Sequence, residues 1–284
     1  MWEIIADVII DAGIDVLKML PFLFAAFLLI EALEHYSTDF TEKVLKKVGK
    51  AGPIVGAAAG CIPQCGFSVM AANLYAGGVI SVGTLLSVFI ATSDEAILII
   101  LGNPDRAKEV IPLLALKVVI AVAVGYVTDI FLSKRVAVSK KSGALCSHCG
   151  CHEHGAGILK PAWNHTVKIT AYLLIFTIAL NICVEFMGIE KISAYLLGDT
   201  LFQPMIAAVI GLIPNCAASV ILTQLYLNGA ISFASVISGL CAGAGIGLVV
   251  LFRMNKDKKE NLKILGLLYG FAVLAGIILE CMEI

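Results

Sequence analysis

Apolar residues gather into long runs near 17–36, 53–75, 79–101, 110–132, 166–188, 203–226, 230–251 and 264–282. A helix needs about 20 such residues to cross a hydrocarbon core of about 30 Å. Polar residues fall between the runs rather than alternating within them, so the pattern predicts helices that span a membrane. Three stretches depart from it. In 2–16 the acids Asp7, Asp11 and Asp15 recur every four residues on one face, which predicts an amphipathic helix lying in the interface. Residues 37–52 carry Lys43, Lys46, Lys47 and Lys50 and read as a surface helix. Residues 133–165 form the one long polar loop, dividing a first membrane unit (17–132) from a second (166–284).

The two units are copies. Placing 53–87 over 204–238 needs no gap and makes fourteen of thirty-five positions identical. Among them are Pro53/Pro204, Gly60/Gly211, Pro63/Pro214, Cys65/Cys216, Ser68/Ser219, Tyr75/Tyr226 and Ser81/Ser232. The same offset pairs Glu34 with Glu185 and Asp129 with Glu280. Duplication of this kind is the mark of secondary transporters. Within each copy a proline interrupts an apolar run, at GCIPQCG (60–66) and GLIPNCA (211–217). If each segment turns back at its proline, the arms are about 15 Å long, half the core. Each copy then has about three crossings plus a re-entrant hairpin, and the repeats are inverted. Lys and Arg near the span ends then divide 14 to 3, against 12 to 5 if the segments cross. The positive-inside rule therefore favours re-entry, with the termini outside and the central loop cytosolic. The expected fold is all-α and polytopic, in the plasma (inner) membrane.

Composition agrees and narrows the classes. The chain is 60% hydrophobic and 14% charged, with mean hydropathy +0.96, where soluble domains carry about 25% charge. Asp7, Asp11 and Asp15 stand where the apolar core of a cleavable signal peptide would be, so none is expected. No Walker motif, dinucleotide fingerprint or HExxH occurs, so ATP-driven transport by this chain alone and zincin-type proteolysis are unsupported. Nothing points to nucleic acid.

Candidate chemistry sits at the interruptions. A helix broken at membrane depth is tolerated where protein or a water-filled cavity satisfies the freed groups, and its ends present partial charges to a ligand. The paired tips supply Gln64 and Asn215 amides, Cys65 and Cys216 thiols, and Ser68 and Ser219 hydroxyls; Asn73 and Gln224 on the return arms could extend a polar path. A proline kink serving only packing is the structural alternative. Asp94 and Glu95, after Ser93, place two carboxylates inside a span, where an ionisable group costs roughly 2.5–3.5 kcal/mol and normally faces a pathway. In the second copy they align with Gly245 and Ile246, so the scaffold does not require them. They could hold a cation, carry a coupling proton, or both; solvation at the end of the span is the alternative. Glu34 and Glu185 are further proton-coupling candidates, with Glu31 and His35 beside the first. Lys117, aligned with Leu268, could pair with a carboxylate such as Asp94. Cys61, Cys183, Cys241 and Cys281 have no polar support and read as small hydrophobes. In the central loop Cys146, His148, Cys149, Cys151, His152 and His154 crowd into nine residues, a set suited to Zn or another borderline-to-soft ion and to metal capture or sensing.

The run from Gly60 to Ser93 resembles the arsenic-permease (ArsP-like) superfamily, through its Pro/Cys break, small-residue return arm and Ala-Thr end followed by polar residues. The whole chain more closely resembles that superfamily's heavy-metal exporters and manganese transporters. The resemblance rests on Pro63, Cys65, Asp94, Glu95, Pro214, Asn215, Cys216 and the Cys/His loop. Arsenic permeases tend to carry a denser cysteine cluster at the first break; here Gln64 separates Pro63 from Cys65 and an acidic pair is added, which favours a divalent cation. The reading is a proton-coupled secondary exporter of a divalent metal, Mn²⁺ favoured. Asp94 and Glu95 would be hard ligands, and Gln64, Cys65, Asn215 and Cys216 would complete the site. Efflux of arsenicals or a thiophilic metal, and a membrane-embedded metal-dependent enzyme, are the alternatives. The expected partners are the bilayer, the metal and protons, with a homodimer compatible. No cofactor is expected beyond the transported ion and a metal held by the loop.

Overall fold

The computed structural model describes residues 51–62, 65–92, 94–104, 106–132, 159–187 and 202–282, and helical positions scattered between 10 and 28. The acids of 2–16 and residues 133–158 of the central loop lie outside this set. Short helices come first: α1 (Ala51–Gly60), α2 (Gly66–Ala76), α3 (Val82–Ala91) and α4 (Asp94–Leu101). A 3₁₀ turn at Ala107–Glu109 leads into the unbroken α5 (Val110–Leu132). Helix α6 (Leu159–Met187) begins seven residues before the apolar run at 166. Its Pro161 falls in the first turn, where the missing N–H has no acceptor to lose. The order then repeats: α7 (Gln203–Gly211), α8 (Cys216–Leu227), α9 (Phe233–Ala242), α10 (Ile246–Met254) and α11 (Lys258–Cys281).

Among the described residues four stretches are long and apolar enough to cross a membrane: Val82–Leu101, Ala107–Leu132, Phe233–Met254 and Lys258–Cys281. The first and third are the interrupted pairs α3–α4 and α9–α10. They are 80% and 89% buried, whereas the stretches containing α5 and α11 are each 33% buried. The broken spans therefore form the centre and the continuous ones the rim. Ile111, Ile130 and Phe131 on α5, and Leu262, Leu274 and Ile278 on α11, stay exposed, apolar faces that suit hydrocarbon.

The sequence offset between the copies has physical causes. Ser81 Oγ accepts from Thr84 N at the start of α3 and donates to Asp129 Oδ2 at 2.8 Å, while Gly83 N donates to Asp129 Oδ1 at 2.9 Å. Ser232 does the same for α9: its Oγ accepts from Ser235 N and donates to Glu280 Oε2 at 2.7 Å. Each central span is thus N-capped by a serine that a carboxylate on the rim helix orients. Deeper down, Ser87 Oγ reaches Gly83 O and Ala121 O, and Ser238 Oγ reaches Pro204 O and Ala272 O. The turns before the caps match as well. Gly78 and Gly229 adopt φ of 73° and 72°, the left-handed region open to glycine. Gly60 lets α1 close on α3: a Cβ there would sit 2.6 Å from Val88 O, and one on Gly211 would press into Gly239 O.

Between the copies, packing is exchanged. Helix α2 lies on α10, α8 lies on α4, and α3 and α9 meet directly. Tyr226 Oη donates to Glu109 Oε2 at 2.6 Å, and reciprocally Tyr75 lies near Glu260. Contacts in which i meets j′ and i′ meets j are those of a two-fold relation. One side is reinforced. Arg106 pairs with Glu109 at 2.8 Å, donates to Tyr226 O and Leu227 O at the end of α8, and lies 4.4 Å above the Tyr226 ring. Its counterpart is Asp257, which caps α11 through Lys259 N and Glu260 N.

Candidate transport site at the converging breaks

Four interruptions organise the interior. Helix α1 unwinds after Gly60, with Cys61 N and Ile62 N still bonded to Ala57 O and Ala59 O; Pro63 and Gln64 lie outside the described residues. Helix α7 unwinds the same way: Leu212 N bonds Ala208 O and Ile213 N bonds Ile210 O. Pro214 follows, and Asn215, extended at φ −145°, caps α8 by accepting from Ala217 N at 3.3 Å. The central spans break at matching positions. Helix α3 ends at Thr92, whose hydroxyl donates to Val88 O at 2.7 Å. Helix α9 ends at Ala242, and α10 restarts after Gly245 at φ 51°.

A cavity of about 20 Å³, enough for one water, lies where three of these breaks meet. Thr92 lines it from the first copy; Asn215, Ser219, Leu240, Gly243 and Gly245 line it from the second. The α3 and α9 helices point their C-terminal, partially negative ends into this region. Lys117 on α5 is fully buried and meets both of them, donating to Thr92 O and, at 3.0 Å, to Leu240 O.

Of the residues expected from sequence, Asn215 and Ser219 line the cavity. Asp94 heads α4 immediately beyond the first break, thirteenth of the twenty residues of Val82–Leu101, and Glu95 follows it; their side chains are outside the described set, as are those of Cys216 and Glu185. Cys65 is buried as the N-cap of α2, and Ser68, buried beside it, donates to Cys65 O at 2.8 Å. This first tip packs against α10: a Cβ on Gly247 would lie 2.8 Å from Ser68 Cβ. Asn73 is buried, its amide nitrogen donating to Val69 O and its Oδ1 without a hydrogen-bond partner among the described residues, whereas Gln224 is exposed. Equal register does not give the two amides equal surroundings. Cys241 is buried, Cys61 is half-buried and Cys281 is exposed. Glu31, Glu34, His35 and the loop residues Cys146, His148, Cys149, Cys151, His152 and His154 lie outside the described residues. Among the described residues no three His, Cys, Asp or Glu side chains cluster as a metal site would.

Sequence reasoning did not single out Thr92, Leu240, Gly243 or Gly245 as cavity residues. Two of them act here through backbone carbonyls, which carry no letter in a sequence. The unduplicated lysine was the available signal.

A duplicated core of interrupted helices around a small cavity, wrapped by apolar spans, defines a polytopic α-helical membrane protein. The chain belongs to the ArsP_2 family, described as "Putative, 10TM heavy-metal exporter", whose sequence pattern matches residues 1–187 and 164–283. No curated protein and no solved structure matches it.

Proposed function

We propose that this protein exports a divalent metal cation, with Mn²⁺ favoured, by proton-coupled secondary transport. The observation that carries the reading is the convergence of the broken central spans on one small cavity lined by Thr92, two residues before Asp94 in the chain, in a chain whose family is one of heavy-metal exporters. Family membership supports a transporter over an enzyme.

The cavity's polar lining is a hydroxyl and amide set, from Thr92, Ser219 and Asn215, with backbone carbonyls between. Oxygen donors suit Mn²⁺ better than a thiophilic ion. Asp94 and Glu95 would bring the charge that neutral oxygens lack. Gln64, Cys65 and Cys216 would join them as the tips close. The same acids, with Glu34 and Glu185, would carry protons. The arms α1–α2 and α7–α8, nine to twelve residues each, would be re-entrant hairpins in inverted repeats. Rocking of one copy against the other would then expose the cavity to alternate sides. The Cys/His loop would gather metal on the cytosolic side of the plasma membrane.

The test is metal flux into liposomes holding purified protein, under an imposed pH gradient and across a series of metals. Radiolabelled Mn²⁺ should accumulate only with the gradient. Asp94→Asn and Glu95→Gln should each lower the rate at least tenfold, while Cys65→Ser with Cys216→Ser leaves it within about threefold. The opposite pattern, with acids dispensable and thiols essential, would reassign the substrate to a soft metal or an arsenical.

A further inference from the structure

The structure assigns to Lys117 the role of a resident cation that the transported metal must displace. The inference rests on the reading above and adds a residue to it.

An ammonium has three N–H donors and accepts nothing. In Lys117 it lies fully buried on α5, and two of its contacts are with Thr92 O and Leu240 O. These carbonyls belong to different copies and to the ends of the two broken spans, and both residues line the cavity. Carbonyls freed at helix C-termini, carrying partial negative charge, are what a desolvated cation seeks inside a membrane protein. The ammonium already occupies that position.

The fold does not demand it. The equivalent residue on α11 is Leu268, also fully buried, in the same kind of packing between a rim helix and a central span. Burial of a charge is costly, and one copy of the scaffold does without it. The positively charged Lys117 and the acids Asp94 and Glu95 are each unduplicated, and all belong to the first copy's break. In the proposed site the charge of Lys117 would offset that of the acids until a metal enters. A dication entering beside Thr92 would contest the same carbonyls, and the lysine would withdraw as it binds. Cargo must then be charged: a neutral compound has no means of displacing the ammonium.

Binding of Mn²⁺ to the purified full chain, by titration calorimetry in detergent, tests this. The component removed by Asp94→Asn with Glu95→Gln is counted as the intramembrane site, which separates it from metal held by the central loop. Lys117→Met should tighten that component at least about tenfold, the scale of strong site–site coupling, while slowing flux through liposomes. Lys117→Gln can still donate to both carbonyls, keeps the local bonding, and should tighten it likewise; it carries the test if the Met variant does not fold. Lys117→Arg should bind as the natural protein does. A structural role alone would weaken binding in every variant, never strengthen it. Unchanged or weaker Mn²⁺ binding in both Met and Gln variants overturns the inference and leaves the transport reading standing. Absence of any acid-dependent component in the natural chain, for Mn²⁺ and for Cd²⁺, overturns that reading and the inference with it.

Discussion

Asp129 is where the duplicated scaffold can be measured. Its carboxylate takes two hydrogen bonds, from Ser81 Oγ at 2.8 Å and Gly83 N at 2.9 Å, and so fixes both the cap serine and the first turn of α3. Hydrogen bonds to a charged group contribute about 1.5–3 kcal/mol each, and a stranded buried donor costs about 1–3. The two bonds share one carboxylate, so their losses do not sum. Asp129→Ala should lower unfolding stability by about 2–4 kcal/mol. Ser81→Ala removes the cap itself, at about 1 kcal/mol, and frees Asp129 from one partner. Because both act through one network, the double variant should cost less than the sum by at least about 0.5–1 kcal/mol. Reversible unfolding in mixed micelles, titrated with a denaturing detergent, reads these differences. Glu280→Ala and Ser232→Ala should reproduce the pattern in the second copy, where Ser232 Oγ lies 2.7 Å from Glu280 Oε2. Additive losses in the first copy, or an Asp129→Ala variant within about 0.5 kcal/mol of the natural chain, the range of an inert surface change, would refute the account.

Gly60→Ala places a methyl 2.6 Å from Val88 O and should destabilise by about 1–3 kcal/mol through overpacking; Gly78→Ala, which meets nothing within 4 Å, should cost only the strain of its positive φ, about 1–2 kcal/mol, in the same unfolding assay. Tyr226→Phe removes the 2.6 Å bond to Glu109 and should cost about 1.5–3 kcal/mol. Tyr75→Phe tests the reciprocal site, and the double variant should be additive because the pairs share no partner. Asn215→Ala loses the α8 cap, about 1 kcal/mol, and a cavity oxygen; its Mn²⁺ flux well below the melting temperature should fall further than that stability loss explains, while Asn215→Asp keeps the cap and melts like the natural chain.

The amino-acid sequence by itself determined the apolar spans, because a run of about 20 apolar residues crosses hydrocarbon as a helix whose backbone is satisfied internally. It also determined the register of the copies. Ser81 with Ser232, Asp129 with Glu280, and the two tip prolines keep the same offset because each pair answers the same local need: a cap, its anchor, a break. Which polar groups meet was decided by tertiary structure. Asn73 and Gln224 share a register position, yet only Asn73 is buried, since burial depends on the neighbouring helix and not on the offset. The fold brings Lys117 to Thr92 O and Leu240 O, 25 and 123 residues away along the chain. Every residue has a carbonyl, and only a helix end brought to another helix end leaves two of them free at one point. That convergence depends on how α3 and α9 cross, which the packing of the whole molecule sets.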